Sequence, residues 1–448
     1  MKEWCGVILA GGRGSRMGKG LPKVLRPICG VPMIRLVMDA VREADITQTI
    51  VVVPPEHEDI QSAMPENTHF AIQHTQLGTG DALSKAMEAM DNQAKSHILV
   101  VNGDVPLLDS GTISNLIEEH ASSEAAMSLL TATGEFPSNL GSISRGQDGE
   151  VIRVIEGERL SSATAYREVN VGVYCFRVEW LLASIQKLSP SESGEFYVTD
   201  LVEIAYRDQE VVATSQIEDI SQALGVNTLR ELADADEILR GRIRDYWIDR
   251  GVYIMDRQSV HIDWLVTIGQ GTTLLPNTMI LGQTTIGDEC EIGGGSMIRD
   301  SRMGDKCKVI SSVIEGAIMQ DSITVGPFSH LRRDSFIESG VHIGNYAEVK
   351  ASRIGQGSKM GHFSYMGDAQ VGANVNVGAG TITCNFDGQE KHQTIVGDDV
   401  FLGSDTMLVA PIRIGARAKT GAGAVVTKDV PADVLVAGVP ARVVPKQS

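Results

Sequence analysis

A glycine-rich loop near the N-terminus is the first stretch of this sequence that could carry chemistry. It runs from Gly11 to Met17 and follows the apolar run Val7–Ala10, which predicts a buried parallel strand. The backbone N–H groups of such a loop can face an anion, and Arg16 and Lys23 add positive charge suited to phosphates. Asp104 follows another apolar run, and a carboxylate at that end of a strand can hold Mg²⁺. Together these residue types predict a site for a phosphorylated ligand.

The loop alone is a weak signal. It lacks the G-K-[ST] ending of a Walker loop, and it does not match G-x-G-x-x-G, so a structural role is as well supported as a functional one. Asp104 has a second interpretation as the cap of the following helix. Asn227, in Gly225-Val226-Asn227, is also compatible with an ordinary turn.

A second group of polar residues interrupts an apolar pattern in the C-terminal half. Its members are Arg332, Lys350, His362, Tyr365, Asn376 and Asn385. Polar side chains of this kind are unusual among repeated aliphatic residues. A single histidine in such a repeat, however, more often has a structural role than a catalytic one. The cluster therefore marks a candidate second site without defining its chemistry.

The element that must position this second cluster is a repeat. From Ile268 onward, an aliphatic residue followed by Gly or another small residue returns about every six positions, as in Ile286-Gly287 and Ile414-Gly415. This period fits neither a helix nor a plain strand, and it is the hexapeptide signature of a parallel β-helix. The regularity breaks near Asp300–Gly326 and again at Thr383–Thr394, where an inserted loop is expected to project from one face.

Alternating strands and helices are expected to position the first site. The sequence predicts strands at Val7–Ala10, Thr49–Val53, His97–Val101, Ala126–Ala132 and Val169–Phe176, with a helix over Met33–Val41. This alternation predicts a mostly parallel α/β sheet with its site at the C-terminal ends of the strands. An amphipathic helix is expected over 228–250. The predicted domains are therefore residues 1–227, a linker helix at 228–250, and a β-helix over 251–448.

The composition narrows the class of protein. The chain has 448 residues and a net charge of −18, which argues against sequence-independent binding to nucleic acid or to an anionic membrane. The six cysteines are scattered and form no C-x-x-C pair, so neither a zinc site nor a disulfide framework is predicted. No signal peptide or membrane span is visible. We therefore expect a soluble cytoplasmic protein.

The motifs, taken in order, resemble one family along nearly the whole chain. Leu9–Met17 with Leu21-Pro22-Lys23 resembles the signature of sugar-1-phosphate nucleotidyltransferases. Gln76–Gly80 and Asn102–Leu107, combined with the C-terminal repeat, are similar to the bifunctional N-acetylglucosamine-1-phosphate uridylyltransferases/glucosamine-1-phosphate acetyltransferases. This resemblance implies a Rossmann-like nucleotidyltransferase domain followed by a left-handed parallel β-helix.

The resemblance assigns roles in the N-terminal domain. It implies that Arg16 and Lys23 are catalytic and neutralise the triphosphate of UTP, and that Asp104 and Asn227 bind Mg²⁺. The residues implied to bind UTP or the UDP-N-acetylglucosamine product are Leu9, Ala10, Gly11, Gly12, Lys23, Gln73, Gly78, Thr79, Asn102, Gly103, Asp104, Gly141, Glu156, Asn170 and Asn227. Among them, the residues from Gly141 to Asn170 would hold the sugar.

The resemblance also assigns the second cluster. Gly361–Ala369 and Asn376–Gly388 resemble the family's acetyltransferase site, with His362 as the base that deprotonates the amine. Apart from the resemblance, Glu348 is a candidate for orienting the imidazole. The implied ligands of glucosamine-1-phosphate are Arg332, Lys350, Tyr365 and Asn376. The implied acetyl-CoA contacts are Ala379, Asn385, Phe386, Ser404 and Ala422, with Lys391 nearby.

Several positions depart from the family pattern. Gly11 stands where Ala is frequent, and Arg13 stands where Lys is frequent, so no catalytic role is assigned to Arg13. Phe386 replaces a frequent Tyr, and Arg442 is the candidate for an arginine that some members use for CoA. The resemblance further implies a homotrimer with acetyl-transfer sites between subunits, and a product that supplies peptidoglycan and lipopolysaccharide synthesis.

Two other functions fit parts of the sequence. One is a nucleotidyltransferase for another sugar or base whose β-helix only regulates or oligomerises; His362, Lys350 and Asn385 count against it because a scaffold does not need them. The other is a catalytically silent assembly protein, and the presence of Lys23 and Asp104 counts against that.

Overall fold

The computed structural model describes residues 3–12, 17, 20–90, 95–137, 140–156 and 164–445. The chain forms two compact units, Met1–Leu239 and Arg240–Ser448. The boundary between them falls inside the helix that the sequence predicts over 228–250. Within the described ranges, no helix combines the length and the hydrophobicity that a membrane crossing requires.

The first unit is built on a nine-stranded mixed sheet flanked by helices. Its strands are β1 (Trp4–Leu9), β4 (Thr49–Val53), β5 (His69–Ile72), β6 (His97–Asn102), β7 (Met127–Pro137), β8 (Ser142–Arg145), β9 (Val151–Ile155), β10 (Thr164–Arg177) and β11 (Val212–Gln216), and a separate hairpin contains β2 (Pro27–Ile28) and β3 (Val31–Pro32). The α-helices are α1 (Met33–Glu43), α2 (Glu58–Ala63), α3 (Thr79–Ala89), α4 (Ser110–Ser122), α5 (Val178–Ser184), α6 (Asp200–Arg207) and α7 (Leu229–Asp249), and 3-10 helices cover Lys23–Leu25, Ile185–Lys187 and Ile220–Ala223. The predicted strands, the helix in the place of α1 and the connecting helix α7 are all present.

Strand order explains where a site can form. The main path is β11-β7-β10-β6-β1-β4-β5, in which β5, β4, β1 and β6 are mutually parallel and β10 runs antiparallel to β6 and β7. The register aligns Leu9 of β1 with Val52 of β4 and with Asn102 of β6. Because parallel strands end at the same edge, residues that follow these strands converge there.

At the opposite edge of the sheet, a buried histidine makes stability depend on pH. His120 of α4 is 1% exposed, its Nδ1 lies 2.7 Å from the Ser128 hydroxyl, and its ring contacts those of Trp4 and His97. Burial, reinforced by the charges of His97 and Arg177, lowers the pKa of His120 to about 4. The folded state therefore resists protonating a group that the unfolded chain protonates near pH 6.5.

We expect acid to destabilise the first unit through this group. Above pH 6.5, His120 does not affect the free energy of unfolding. As the pH drops from 6.5 to about 4, this free energy falls, and at pH 5 it is lower by about 2 kcal/mol. His120→Asn should flatten this part of the pH dependence in thermal unfolding of the full chain, whereas His69→Asn, at an exposed histidine of β5, should not. Identical pH profiles for wild type and His120→Asn would contradict the assignment.

The second unit is a three-sided parallel β-helix. The first face contains Tyr253–Ile254, Thr273–Leu274, Glu291–Gly293, Lys308–Ile310, Thr324–Val325, His342–Ile343, Lys359–Met360, Asn376–Val377, Phe401–Leu402, Lys419–Thr420, Leu435–Ala437 and Arg442–Val443. The second face contains His261–Ile262, Met279–Leu281, Met297–Arg299, Val313–Glu315, His330–Leu331, Ala347–Lys350, Ser364–Gly367, Ile382–Cys384, Met407–Val409 and Val425–Val426. The third face contains Thr267–Ile268, Thr285–Ile286, Arg302–Met303, Ile318–Met319, Phe336–Ile337, Arg353–Ile354, Ala369–Val371, Thr394–Val396 and Ile412–Ile414.

The six-residue period arises because each short strand directs one side chain into the core of the β-helix. Ile268, Leu274 and Ile280 belong to successive faces of the first coils, and all are buried. The same holds for the aliphatic residues of the later coils, which stack on their neighbours one coil away. The predicted parallel β-helix is therefore confirmed, and its core is the column of these aliphatic side chains.

The predicted break in regularity near Asp300–Gly326 is not a break in the fold. The strands continue through this region on all three faces, with Arg302, Lys308 and Val313 each starting a strand. The period is lost in the sequence because some corners contain one residue fewer. Asp300 and Ser311 turn these shortened corners with positive φ values of 47° and 43°.

The second irregularity is a real insertion. Between Cys384 on the second face and Thr394 on the third face, nine residues leave the coil. Asp387 organises this loop by accepting hydrogen bonds from the N–H groups of Gln389 and Glu390, both at 2.8 Å, and by contacting His392 Nε2 at 2.7 Å. These donors hold the pKa of the Asp387 carboxyl well below its usual range. The loop therefore has a defined conformation.

Candidate active sites

A cavity of about 410 Å³ opens at the C-terminal edge of the parallel strands in the first unit. Its lining includes most of the nucleotide-binding residues that the sequence predicts. They are Leu9, Ala10, Gly11, Gly12, Lys23, Gln73, Gly78, Thr79, Asn102 and Asp104. The backbone explains this convergence, because Ala10 N–H donates to Val52 O and Gly103 N–H donates to Leu9 O, each at 2.9 Å.

Lys23 joins the two residues predicted to bind Mg²⁺. Its Nζ lies 2.6 Å from Asp104 Oδ2 and donates to Asn227 Oδ1 at 3.0 Å. The backbone draws these two residues together, because Val226 N–H donates to Asp104 O at 2.8 Å. Asp104 and Asn227 thus direct oxygen atoms at one cationic atom.

The structural alternative fails for Asp104 and holds in part for Asn227. The N-cap of α4 is Asp109, which accepts from Thr112 N–H, so Asp104 does not cap that helix. Asn227 precedes a capping box in which Glu231 N–H donates to Thr228 Oγ1 and Glu231 Oε2 accepts from Thr228 N–H. Asn227 contributes to the turn through its Nδ2, which donates to Gly225 O at 3.4 Å, while its Oδ1 accepts from Lys23 Nζ.

Gln73 is the best-anchored polar side chain of the cavity. It is buried, and its Nε2 donates to Gly78 O at 3.0 Å and to Asp81 Oδ2 at 2.7 Å. Its Oε1 lies against Gly11, where an added Cβ would overlap with that oxygen. The glycine that departs from the family pattern is therefore matched to the position of this glutamine.

A segment that the sequence analysis did not single out completes the cavity wall. Glu195 and Tyr197 line it, and Val198 N–H donates to Thr79 Oγ1 at 3.0 Å. One residue further, the Thr199 hydroxyl donates to Glu156 Oε1. This segment therefore connects Thr79, predicted to contact the uracil, with Glu156, predicted to hold the sugar. No local motif in the sequence indicates this link between distant parts of the chain.

The three residues predicted to hold the sugar lie together. Asn170 N–H donates to Gly141 O at 2.8 Å, and a Cβ on Gly141 would lie 3.8 Å from Glu156 Oε2. The Asn170 side chain donates to the Tyr174 hydroxyl at 2.7 Å and accepts from Gly172 N–H at 3.1 Å. Burial, opposed by the Asn170 hydrogen bond and reinforced by the charges of Glu156 and Asp104, raises the pKa of Tyr174 well above its usual value, so this hydroxyl stays neutral.

Arg16, predicted to be catalytic, and Arg13 lie outside the described residues.

In the β-helix, strand register aligns His362 with three predicted acetyl-CoA contacts. Met360 pairs with Val377, and Val377 pairs with Leu402. Phe401 pairs with Lys419, which aligns Leu402 with Thr420. The residues two places after these four aligned positions therefore occupy equivalent corners of successive coils. Those residues are His362, Ala379, Ser404 and Ala422. Consecutive coils are about 4.8 Å apart, so the four residues form one column of accessible, mostly small side chains that begins at the imidazole.

Three cations lie near the end of the second face, next to the inserted loop. Arg332 and Lys350 project from neighbouring coils, and Lys391 reaches the same place from the inserted loop. The contact with Lys391, together with the charge of Arg332, lowers the pKa of Lys350. Positive groups this close repel one another, and an anion between them would relieve that repulsion.

Glu348 does not take the position expected for it. Its Oε1 accepts from Arg332 Nη1 at 2.8 Å, and within the described residues no hydrogen bond joins Glu348 to His362. The reason is register: Glu348 points outward from the second face, beside Arg332 of the previous coil, whereas His362 lies at the corner between the first and second faces. Glu348 therefore orients the arginine instead of the imidazole.

Tyr365 lies over its own strand because Gly367 has no side chain. A Cβ at Gly367 would overlap with the Tyr365 hydroxyl and would lie 2.8 Å from Asn385 Nδ2. Asn385 is buried and donates to Asp368 Oδ2. Gly367 is a site residue that the sequence analysis missed, since nothing in the local pattern distinguishes it from the glycines that turn corners.

The remaining predicted residues are more dispersed. Asn376 is exposed on the first face, one coil after Lys359, and Phe386 is exposed on the inserted loop, where it pairs with Lys391. Arg442 pairs with Ala437 in the last strand of the first face.

Comparison with known proteins identifies the family. Residues 6–200 match the MobA-like NTP transferase domain, residues 265–300 match the bacterial transferase hexapeptide, and residues 393–428 match the hexapeptide repeat of succinyl-transferase. The bifunctional protein GlmU of Desulfitobacterium hafniense strain Y51 is 39% identical over 437 residues, covering 97% of this chain and 96% of that protein. The GlmU protein of Exiguobacterium sibiricum is 40% identical over 427 residues, covering 95% of each chain. The chain belongs to the GlmU family.

Membership of the GlmU family confirms the predicted function of the chain, a bifunctional enzyme that joins uridylyl transfer to acetyl transfer. It also confirms the predicted fold, a nucleotidyltransferase domain followed by a left-handed parallel β-helix of hexapeptide repeats. The alternative of a catalytically silent assembly protein is thereby excluded. Which residues of this GlmU chain carry each activity rests on the geometry described above.

Proposed function

We propose that the chain makes UDP-N-acetylglucosamine in two steps, acetylating glucosamine-1-phosphate on the β-helix and then transferring UMP to the product in the N-terminal cavity. The observation that carries this proposal is that the β-helix presents both an exposed imidazole, His362, and a group of cations, Arg332, Lys350 and Lys391. A base and an anion site together suit a substrate that bears both an amine and a phosphate.

In the acetyl-transfer site, Arg332, Lys350 and Lys391 hold the phosphate of glucosamine-1-phosphate. Tyr365 and Asn376 contact the sugar. His362 removes a proton from the ammonium group, since an imidazole suits this role near neutral pH. The free amine then attacks the thioester carbonyl of acetyl-CoA, the C–S bond breaks, and the thiolate of CoA leaves and takes up a proton.

Acetyl-CoA lies along the column that begins at His362. Ala379, Ser404 and Ala422 leave room there for an extended chain, and Asn385 and Phe386 would contribute further contacts from the inserted loop. The small side chains support this proposal, because a bulky residue at any of these corners would obstruct the ligand.

In the uridylyl-transfer site, the phosphate oxygen of N-acetylglucosamine-1-phosphate attacks the α-phosphorus of UTP in line, and pyrophosphate leaves. The nucleophile is already an anion, so the protein's task is to position the substrates and to neutralise charge. Gln73, Gly78 and Thr79 contact the uracil. Gly141, Glu156 and Asn170 hold the sugar, and Lys23, with Arg16, neutralises the phosphates.

A Mg²⁺ ion fits the donors at the base of this cavity. Asp104 Oδ2 and Asn227 Oδ1 are hard oxygen donors that both lie within 3.0 Å of one cationic atom, Lys23 Nζ. Within the described residues no group of three or more His, Cys, Asp and Glu could hold a metal. Magnesium often uses few protein ligands and completes its shell with phosphates and water, and when bound it would neutralise charge on the triphosphate.

The assembly and the compartment are part of the same proposal. A three-sided prism can pack about a threefold axis, and we propose a trimer formed through the β-helix. All six cysteines lie in described ranges and none of them forms a disulfide, which supports a reducing compartment and hence the cytoplasm.

One assay tests both halves of the function. Purified full-length protein receives glucosamine-1-phosphate, acetyl-CoA, UTP and Mg²⁺, and free CoA and pyrophosphate are followed separately. We expect CoA to appear first and pyrophosphate to require it, unless N-acetylglucosamine-1-phosphate is supplied. Release of CoA without pyrophosphate would contradict the N-terminal assignment, and release of pyrophosphate from glucosamine-1-phosphate without CoA would contradict the order.

A further inference from the structure

Lys23 takes two of the contacts that a divalent cation would need. Its Nζ lies 2.6 Å from Asp104 Oδ2 and 3.0 Å from Asn227 Oδ1. The Lys23 and Asp104 side chains are only 12% and 23% exposed. A shielded pair attracts more strongly than one on the surface, where water screens the charges. The ammonium and a metal ion would therefore compete for the same oxygens.

The two oxygen donors have little freedom to move apart. Val226 N–H binds the backbone of Asp104 at 2.8 Å, and Asn227 N–H donates to Glu231 Oε2 at 2.7 Å. Glu231 is itself fixed at the start of α7 by Thr228. Both donor side chains are short, so their positions follow those of the backbone.

The Lys23 side chain is the partner that can leave. Its backbone is fixed by the buried neighbours Val24 and Leu25 and by the hydrogen bond from Arg26 N–H to Lys23 O at 3.1 Å. The side chain, however, is a flexible four-carbon stem that lines the same cavity as Gly11 and Gly12. Rotation of this stem can carry the ammonium from the carboxylate toward that part of the cavity without moving the backbone.

We propose that Lys23 is a built-in competitor of the divalent cation, holding Asp104 and Asn227 together until the metal displaces it toward the nucleotide phosphates. The proposal rests on the proposed magnesium site and adds a role for Lys23 before the nucleotide binds. A nucleotide that draws the ammonium away also frees the oxygens for the metal. Metal and nucleotide therefore strengthen each other's binding, partly through this one side chain.

The test measures binding of Mn²⁺ alone to the full-length protein without nucleotide, using electron paramagnetic resonance of the free ion. Lys23→Met removes the charge and keeps a side chain of similar length. We expect it to bind Mn²⁺ about tenfold more tightly than wild type, because the competing charge is gone. Lys85→Met, at a half-buried lysine paired with Glu88 at 2.8 Å, serves as the control and should leave the affinity unchanged. Equal or weaker Mn²⁺ binding by Lys23→Met would overturn the proposal.

A second substitution separates this inference from the metal site on which it rests. Asp104→Asn is introduced into the wild type and into Lys23→Met, and it should weaken Mn²⁺ binding in both. If it weakens binding in both backgrounds while Lys23→Met fails to tighten it, the metal site stands and the competition is wrong. If Asp104→Asn has no effect in either background, the metal binds elsewhere and both proposals fail.

Discussion

Replacing His362 with alanine is expected to lower the rate of acetyl transfer roughly 10²- to 10⁴-fold, the usual contribution of a general base. The imidazole is the group at the head of the column formed with Ala379, Ser404 and Ala422, at the corner that leads into the second face. Without it, the ammonium form of the substrate has no positioned acceptor for its proton. The readout is CoA release from acetyl-CoA and glucosamine-1-phosphate.

The same variant should leave uridylyl transfer unchanged when N-acetylglucosamine-1-phosphate is supplied. His362 is exposed at a corner of the β-helix, so its removal creates no cavity in the core. His342→Ala is a matched control, because His342 is also exposed and its ring contacts Thr324 on the first face, away from the column. Normal CoA release by His362→Ala, or loss of both activities in a folded protein, would refute the assignment.

The β-helix was predictable because its cause is local. Each coil repeats the same inward position, so buried residues such as Ile268 and Leu408 repeat in the sequence with the same period. The shortened corners at Asp300 and Ser311 hid the period without disturbing the ladder, since parallel pairing tolerates the loss of one corner residue. Periodicity therefore identified the fold, and its two irregularities correspond to shortened corners near Asp300–Gly326 and to the inserted loop at Thr383–Thr394.

The nucleotide cavity was predictable for a different reason. Parallel strands end at a common edge, so motifs that follow apolar runs, such as Gly11-Gly12 and Asp104, converge whatever the intervening sequence. The partners of those residues were not predictable. Lys23 meets Asp104 across 81 residues and Asn227 across 204, and Thr199 reaches Glu156 from a loop that carries no motif. Such contacts depend on side-chain packing, which leaves no period in the sequence.

Glu348 illustrates the same limit in the second site. It lies sixteen residues from Arg332, close to one coil, and strand register decides that it pairs with this arginine and not with His362. A sequence reveals which residue types are near one another along the chain. Only the count of residues in each corner reveals which of them stack.

Asp104→Asn is expected to lower uridylyl transfer roughly 10²- to 10³-fold, a loss typical for one preorganised electrostatic group. The substitution keeps the shape of the side chain and removes the negative charge that now faces Lys23 Nζ at 2.6 Å. It therefore weakens the proposed Mg²⁺ site, and the Mg²⁺ concentration that gives half the maximal rate should rise. Pyrophosphate release from UTP and N-acetylglucosamine-1-phosphate is the readout.

Acetyl transfer by the same variant provides an internal control for this prediction. CoA release should be unchanged in Asp104→Asn, because none of the residues proposed for acetyl transfer lies in the first unit. Asp208→Asn, which removes an exposed ion pair with Lys187, should affect neither activity, since such pairs contribute little to stability. An Asp104→Asn protein that transfers UMP at the wild-type rate with an unchanged Mg²⁺ requirement would show that Asp104 binds no metal. The contact between Lys23 and Asp104 would then be a structural ion pair with no part in binding the metal.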